Sequence, residues 1–452
     1  MTTRRCHTVE TCRPQPLSYT DLDHPMPDQP SAAPTTVDVA HFRRLFALCS
    51  ETFIYDPLMR LEQAGLRQTM LCLVRMHQQA RPFNDRALVR LPGSLQSDSA
   101  LARMFALPGS LSETDRPLWP ALRQWLHHEL RRTKPRVLFT HFGPDGCLAA
   151  PVASHLGIPV VAHFYGYDLS RLLHQSGPAW IPRYRMLFRQ AHALVATSNY
   201  LLDRLRHIGA PESKLYLNFP GIDLSRFSYQ DPTLRFDGRR VDLIHVGRLT
   251  AKKCPLQLIE AFACARERLL PRLDLHLTLV GDGELRRACA ARAQQLGVDT
   301  VVQLLGQQPP EEIPRLLRQH HLYTQYCRTA PNGDTEGIGL SFLEAAASGL
   351  PVITTRHNGI PDAVVHGHTG LLCGEDDADQ FVEHLVHLAS HPHCWRSFGQ
   401  AGRRHVLKRF SAETQLQRNL GLVQSACAGR SPNGQPRQGP TRQGSLPAVV
   451  NS

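Results

Sequence analysis

Two glutamates eight residues apart, Glu336 and Glu344, enclose the stretch Gly337-Ile338-Gly339-Leu340. The glycines stand where an alanine-rich apolar segment begins to read as a helix, near Ile338. At such a start the backbone N–H groups of Ile338, Gly339 and Leu340 can approach a phosphate, helped by the helix dipole. A carboxylate on either side can accept hydrogen bonds from neutral hydroxyls. Phosphate in the middle with hydroxyls at both ends describes a nucleotide sugar. The competing reading is an ordinary amphipathic helix with a surface glutamate and a glycine loop. A second stretch, Val246-Gly247-Arg248-Leu249-Thr250-Ala251-Lys252-Lys253-Cys254-Pro255, places cations in a loop leaving an apolar run. Arg248 can fork onto a diphosphate and Lys253 can add a point charge. Surface cations after a strand are common, so this stretch gains weight only where the fold brings it to the Glu336 loop.

The elements that must position these residues follow from the alternation of apolar runs with amphipathic segments. Strands are predicted over 45–49, 70–74, 136–141, 159–163, 194–197 and 215–219, then over 241–246, 275–280, 301–305, 322–325, 352–355 and 371–373. Helices are predicted to start at Pro255, Glu284 and Pro310 and near Ile338, and Gly349 with Pro351 reads as a helix stop. The Leu118, Leu122, Trp125, Leu126, Leu130 stripe has helical spacing and reads as core. Strand–helix alternation implies a parallel sheet covered on both faces, here twice over. The expected architecture is therefore α/β, two doubly wound domains joined near 229–240. Ligands in such sheets bind at the carboxyl ends of strands, so the chemistry belongs in a cleft between the two edges.

Length and composition agree. The chain has 452 residues, 42% hydrophobic and 20% charged, enough for two buried cores. No apolar run approaches the roughly 18–20 residues that span a bilayer, and no apolar stretch follows the basic start as in a secretory signal. A cell-interior protein is expected. Residues 1–40 hold six prolines and no periodic pattern, and 427–452 turn to Gly, Pro, Gln and Arg, so both ends read as disordered tails. The net charge of +12 lies almost wholly in the body and suggests an anionic partner. Nucleic acid is disfavoured because no recognition motif accompanies the charge. The twelve cysteines contain no Cys-x-x-Cys pair, and His391-Pro392-His393-Cys394 lacks a second half with ligand spacing. Reduced thiols and no metal site are expected.

Together these segments resemble the retaining, GT-B-fold glycosyltransferases of family 4 (glycosyltransferase group 1). The likeness rests on the Glu336-x7-Glu344 element, the Gly247-Arg248-Leu249…Lys253 loop and the Gly281-Asp282-Gly283 turn. It extends through Phe219-Pro-Gly-Ile-Asp223-Leu-Ser-Arg-Phe227 and Asn358-Gly359-Ile-Pro361-Asp362. The family usually has Glu where Asp362 stands and Gly where Cys254 stands. Ser50-Glu51-Thr52-Phe53-Ile54-Tyr55, His141-Phe142-Gly143 and Asn332-Gly333-Asp334-Thr335-Glu336-Gly337 are similar to the exopolysaccharide, colanic-acid-type branch.

The resemblance implies two Rossmann-like domains, an acceptor domain over 41–230 and a nucleotide-sugar donor domain over 231–409, with a crossover helix over 410–426. It implies that Gly247, Arg248 and Lys253 meet the donor diphosphate, that Gly337, Ile338, Gly339 and Leu340 contact phosphate, that Glu344 binds ribose and that Glu336 binds the transferred sugar. Retention would follow front-face attack with the leaving phosphate as base, with neither metal nor other cofactor. Where the family often has a His, this chain has Tyr165, in His163-Phe164-Tyr165-Gly166-Tyr167-Asp168. Tyr165 is taken as catalytic with Glu336, Arg248 and Lys253, because it can hydrogen-bond a sugar hydroxyl. It cannot act as a near-neutral base. Ser50, Glu51, His141, His163 and Asp168 are the acceptor-side candidates, His163 also as a substitute for the missing His. Arg171, Arg183, Arg185 and Arg189, interleaved with Trp180 and Tyr184, could face anionic lipid or a polyprenyl-linked glycan acceptor; a solvated helix face over core aromatics is the alternative. The expected protein is a cytoplasmic transferase, peripheral on the inner face of the membrane, that builds surface polysaccharide. A non-catalytic nucleotide-sugar-binding scaffold and a nucleotide-sugar epimerase are the rival expectations.

Overall fold

The structure, a computed structural model, describes residues 37–48, 51–76, 79, 81–83, 88–90 and 118–432. In chain order its strands are β1 (Val39–Phe42), β2 (Leu45–Phe46), β3 (Gln68–Cys72), β4 (Val74–Arg75), β5 (Leu88–Arg90), β6 (Val137–His141), β7 (Val160–Phe164), β8 (Ala193–Ala196) and β9 (Leu215–Leu217). They continue as β10 (Arg240–Val246), β11 (Asp274–Val280), β12 (Val302–Gly306), β13 (Leu322–Gln325), β14 (Val352–Thr355) and β15 (Gly370–Cys373). Every residue of β1, β3, β6, β7 and β8 is buried, as it must be in strands covered on both faces. Seven strands form one parallel sheet in the order β5-β3-β1-β6-β7-β8-β9, and six form another in the order β12-β11-β10-β13-β14-β15. Strands β2 and β4 pair separately.

Helices Leu118–Thr133, Gly143–His155, Trp180–Gln190 and Asn199–His207 cover one face of the first sheet. Leu122, Trp125, Leu148, Tyr184 and Leu201 join Leu138, Ala162 and Leu194 there in one apolar cluster. The opposite face is closed by helix Thr52–Gln63 and by the last helix, Ala412–Cys427, whose Leu422, Val423 and Ala426 pack on Val39, Phe139, Val161 and Val195. In the second sheet, Pro255–Leu269 and Ala378–Ser390 cover one face and Leu340–Ser348 the other. The chain thus crosses between the sheets twice. The two crossings are stitched together: Ile222 N–H donates to Phe410 O at 2.9 Å and Ala412 N–H to Ile222 O at 3.0 Å. Beside them Asn218 Nδ2 donates to Asn419 Oδ1 at 2.8 Å. Among the described residues no helix is long and apolar enough to cross a membrane.

Several expectations need correction. The first strand is Val39–Phe42, not 45–49, so the stretch read as tail to residue 40 already contains a central strand. A four-residue run interrupted by His41 has no hydropathic signal; His41 is buried because neighbouring strands supply its hydrogen-bond partners. Strand β5 has no counterpart among the expected elements. The helices expected from Glu284, Pro310 and Ile338 begin at Arg286, Ile313 and Leu340. The tails over 1–36 and 433–452 lie outside the described residues. A Leu422→Ala substitution, at a side chain with no exposure, is expected to cost about 2–4 kcal/mol. Urea unfolding would read this as a lower midpoint at unchanged slope, and an unchanged midpoint would show that the last helix does not support the first sheet.

Candidate active site

The loops that leave the carboxyl ends of β10, β11, β13 and β14 form one surface. The Gly281-Asp282-Gly283 turn lies flat on the Arg248 loop: Leu249 N–H donates to Asp282 O at 2.9 Å. Gly281 has φ +134°, and a Cβ there would stand 2.0 Å from Gly247 O, so the contact requires glycine. From β13, the Tyr323 hydroxyl lies 3.2 Å from Val246 O and 2.7 Å from Ser341 Oγ, bolting the end of β10 to the start of helix Leu340–Ser348. The cation loop and the glutamate loop therefore meet, the condition under which the cations gain weight. Lys252 Nζ donates to Thr335 O at 2.9 Å and pairs with Asp334 at 3.3 Å. Lys253 Nζ pairs with Glu336 Oε2 at 2.9 Å. Arg248 is exposed, close enough to Lys253 to oppose its charge, and its side chain has no hydrogen-bonded or ion-paired partner among the described residues.

The two glutamates have opposite electrostatics. Burial alone would raise the Glu336 carboxyl, but the Lys253 and Lys252 ammoniums and the Lys253 hydrogen bond outweigh it and hold it down at about 2. The same pairing raises Lys253 against the burial that would lower it. Among the described residues Glu344 has no such partner. Burial pushes it up to about 7, with Arg226 and Lys253 only partly opposing. One carboxylate is permanently ionised; the other titrates near neutrality.

Glu336 is also held from behind. Its backbone N–H donates to His357 Nε2 at 3.0 Å, and His357 Nδ1 lies 2.7 Å from Glu375 Oε1. Since an amide can only donate, Nε2 is the acceptor and the proton of the neutral ring sits on Nδ1, facing Glu375. His357 is fully buried, and Glu375 Oε2 accepts the Thr329 N–H at 3.0 Å. Sequence reading missed Lys252, Tyr323, His357 and Glu375 as site residues. Their only signal was position, in or next to loops at the carboxyl edge. The expected phosphate-facing amides stand at the N-terminus of helix Leu340–Ser348, whose Gly339 cap supplies no side-chain hydrogen bond. Ile338 anchors that turn in the apolar core beneath.

The first domain meets this surface from the other side. A Cβ on Gly337 would stand 3.0 Å from Tyr165 O, and one on Gly359 would stand 2.1 Å from Gly337 O and 2.7 Å from Ser198 Cβ. Asp362 accepts the Asn199 N–H at 2.8 Å, joining the two halves where the family has Glu. Tyr165 is half-buried, its ring against Phe53 and Phe142, and its hydroxyl lies 2.8 Å from His141 Nδ1. The acceptor-side candidates fare less well. Ser50 lies outside the described residues. Glu51 is buried and paired with Arg43 at 2.7 Å, while Arg43 also reaches Asp145 at 3.1 Å. Asp168 has no exposure and accepts backbone N–H groups from Gly143, Tyr165 and Gly166 at 3.0, 3.2 and 3.0 Å. It staples two loops rather than presenting a carboxylate to the cleft. His163 is 6% exposed, its ring beside those of His141 and Tyr165, with Nδ1 buried and unpartnered among the described residues. In the basic stretch Trp180 and Tyr184 are core residues, leaving Arg185, Met186 and Arg189 exposed on helix Trp180–Gln190.

Replacing His357 by Ala removes the acceptor of the Glu336 amide and the partner of Glu375. A loss of about 1–3 kcal/mol is expected for the buried groups left unpaired. Thermal unfolding checks this, and unchanged stability would mean that the Glu336 loop is held without the pair.

Comparison with known proteins bears on this surface. A model of the glycosyl transferases group 1 family matches residues 229–405, and one of glycosyltransferase family 4 matches residues 50–226. The putative colanic acid biosynthesis glycosyltransferase WcaL of Salmonella typhimurium is 30% identical over 263 residues, 57% of this chain and 62% of that protein. The amylovoran biosynthesis glycosyltransferase AmsK of Erwinia amylovora is 31% identical over 259 residues, 56% of this chain and 61% of that protein. The matched region thus spans less than two thirds of these relatives. Among solved structures, Anabaena HepE in complex with UDP superposes with a TM-score of 0.66 at 17% identity, over 86% of this chain and 100% of that one. Sucrose-phosphate synthase of Thermosynechococcus elongatus superposes with a TM-score of 0.64 at 18% identity, over 87% and 100%. At these identities the superpositions speak for the fold alone. By its two family matches and its paired parallel sheets, the chain belongs to the GT-B-fold glycosyltransferases of family 4, group 1.

Proposed function

We propose that the protein transfers a sugar, with retention, from a nucleoside-diphosphate donor to a glycan or polyprenyl-linked acceptor in surface or exopolysaccharide synthesis. The observation that carries this reading is the meeting of exposed Arg248 with the Lys253–Glu336 pair beside the uncapped start of helix Leu340–Ser348. The WcaL and AmsK relatives supply the pathway class. In this reading Arg248, whose side chain has no partner to leave among the described residues, forks onto the diphosphate, and Lys253 is shared between Glu336 and the leaving phosphate. Both stabilise the charge that develops as the glycosidic bond breaks. The first-turn amides add partial positive charge to the same phosphates. Glu336, held ionised by Lys253, accepts hydroxyls of the transferred sugar, and Glu344 accepts those of the ribose. The leaving phosphate takes the acceptor proton, and neither metal nor other cofactor is assigned. An anionic membrane surface is the proposed setting, met by the Arg185, Met186 and Arg189 face.

Calorimetric titration with UDP, GDP and ADP tests the donor site. One diphosphate is expected to bind selectively, and Arg248→Ala to weaken it about 10- to 100-fold, the range of a lost charged hydrogen bond. Failure of all three to bind a folded sample would favour a scaffold role. Glu344 supplies a second check. With its carboxyl near 7, a ribose that selects the ionised form must displace a proton, so affinity rises as pH climbs through 7. Titrations in buffers of different ionisation enthalpy should show proton release, and Glu344→Gln should abolish it.

A further inference from the structure

Four side chains on neighbouring strands form an unbroken hydrogen-bonded row across the first sheet. Gln68 stands on β3, His41 on β1, His141 on β6 and Tyr165 just beyond β7, and the order β3-β1-β6-β7 with its registers lays them along a diagonal of the sheet, each two residues further on than the strand partner of the one before. Gln68 Oε1 is 2.8 Å from His41 Nε2, His41 Nδ1 is 3.1 Å from His141 Nε2, and His141 Nδ1 is 2.8 Å from the Tyr165 hydroxyl. The rings lie nearly parallel, at 10° for His41 on His141 and 20° for His141 on Tyr165.

The direction of every bond in this row follows from its far end. Gln68 Nε2 donates to Leu58 O at 2.9 Å. A carbonyl only accepts, so this contact fixes the amide with its oxygen toward His41. That oxygen also only accepts, so His41 carries its proton on Nε2. Burial disfavours a second proton on either ring: it lowers His41 to about 4, and it lowers His141 well below the usual histidine range, with the His41 charge adding to the effect. His41 Nδ1 is then a lone pair that receives the His141 Nε2–H. His141 Nδ1 is a lone pair in turn, and the Tyr165 O–H must point at it.

We propose that Gln68, His41 and His141 are positioning residues that pin the Tyr165 proton inward, so that its oxygen meets a ligand solely as a hydrogen-bond acceptor. The group it takes is a hydroxyl of the donor sugar, and a carbonyl or ether oxygen is refused. This role rests on the transferase reading above. Two observations describe the surroundings of Tyr165. The Tyr165 carbonyl borders Gly337, next to the glutamate assigned to the sugar. Tyr165 also lines, with His41, His141, Phe139, Thr197 and Asn419, a cavity of about 20 Å³ on the sheet face beneath the last helix, room for one oxygen-sized group. Phe53 and Phe142, at 4.8 and 5.0 Å from the ring, keep the tyrosine from swinging away. The row also accounts for a tyrosine at a place where the family often has histidine: its hydroxyl completes a chain that a base is not needed to end.

Two measurements test this on the full chain. Long-range ¹H–¹⁵N spectra of histidine-labelled protein, assigned with His41→Phe and His141→Phe, should show the Nε2–H tautomer at both rings. An Nδ1–H or a doubly protonated ring at either position near neutral pH overturns the row, whatever the protein's activity. The second is a double-mutant cycle of Tyr165→Phe and Gln68→Met, read as affinity for UDP-glucose relative to UDP and for GDP-mannose relative to GDP. Tyr165→Phe should weaken the nucleotide sugar about tenfold and leave the diphosphate unchanged. Gln68→Met should lose part of that tenfold alone and nothing more when combined with Tyr165→Phe. Additive losses, or sugar affinity unchanged in Tyr165→Phe, overturn the positioning role while the tautomers still decide the row. If neither nucleotide sugar nor diphosphate binds the unaltered protein, the transferase reading fails and the ligand role fails with it.

Discussion

The buried ion pair between Lys253 and Glu336 is the interaction on which the rest of the site depends. It joins, at 2.9 Å, two loops more than eighty residues apart in sequence. Burying either charge alone would cost several kcal/mol, so each residue keeps the other ionised and in place. The neighbouring Lys252 contacts with Asp334 and Thr335 and the Tyr323 bolt act on the same two loops. Removing one partner would leave an unpaired charge in the cleft floor, and the geometry of Arg248 and of the helix start is referenced to that floor.

Around this pair the protein divides its polar groups into those already satisfied and those left open. His357 with Glu375, Asp168 with three amides, and Arg43 with Glu51 and Asp145 are closed systems that hold loops and strand ends. Among the described residues the Arg248 and Glu344 side chains have no hydrogen-bonded or ion-paired partner. A charged group with no protein partner at the edge of a cleft is where ligand binding gains most, because nothing must be broken first. This distinction separates Arg248 and Glu344 from Glu51, His141 and Asp168, whose polar side-chain atoms are taken up internally.

The two halves meet through backbone and short side chains. Gly337 and Gly359 stack between Tyr165 and Ser198, and Asp362 reaches the Asn199 amide. The departure at Cys254 has a local physical reading as well. Its backbone is left-handed, at φ +39°, the region where glycine is favoured, and the thiol turns back to donate to Ala251 O at 3.1 Å. A cysteine there gives up backbone comfort for a buried, hydrogen-bonded sulfur.

What the sequence determined was whatever depends on neighbours along the chain: the alternation that demands parallel sheets, the helix stop at Gly349, and the Arg248, Lys253, Glu336 and Glu344 spacing on which the proposed nucleotide-sugar site rests. Strand β1 escaped it because His41 reads as polar until β3 and β6 lie beside it and satisfy both ring nitrogens. Glu51 and Asp168 escaped it too, since the Arg43 guanidinium and the Gly143 amide reach them only in the folded chain. Only the tertiary structure decided which polar groups were spent and which stayed open, and which way the proton of Tyr165 points. Hydropathy and spacing are properties of one segment; hydrogen-bond satisfaction and tautomer are properties of the strand order that brings several segments together.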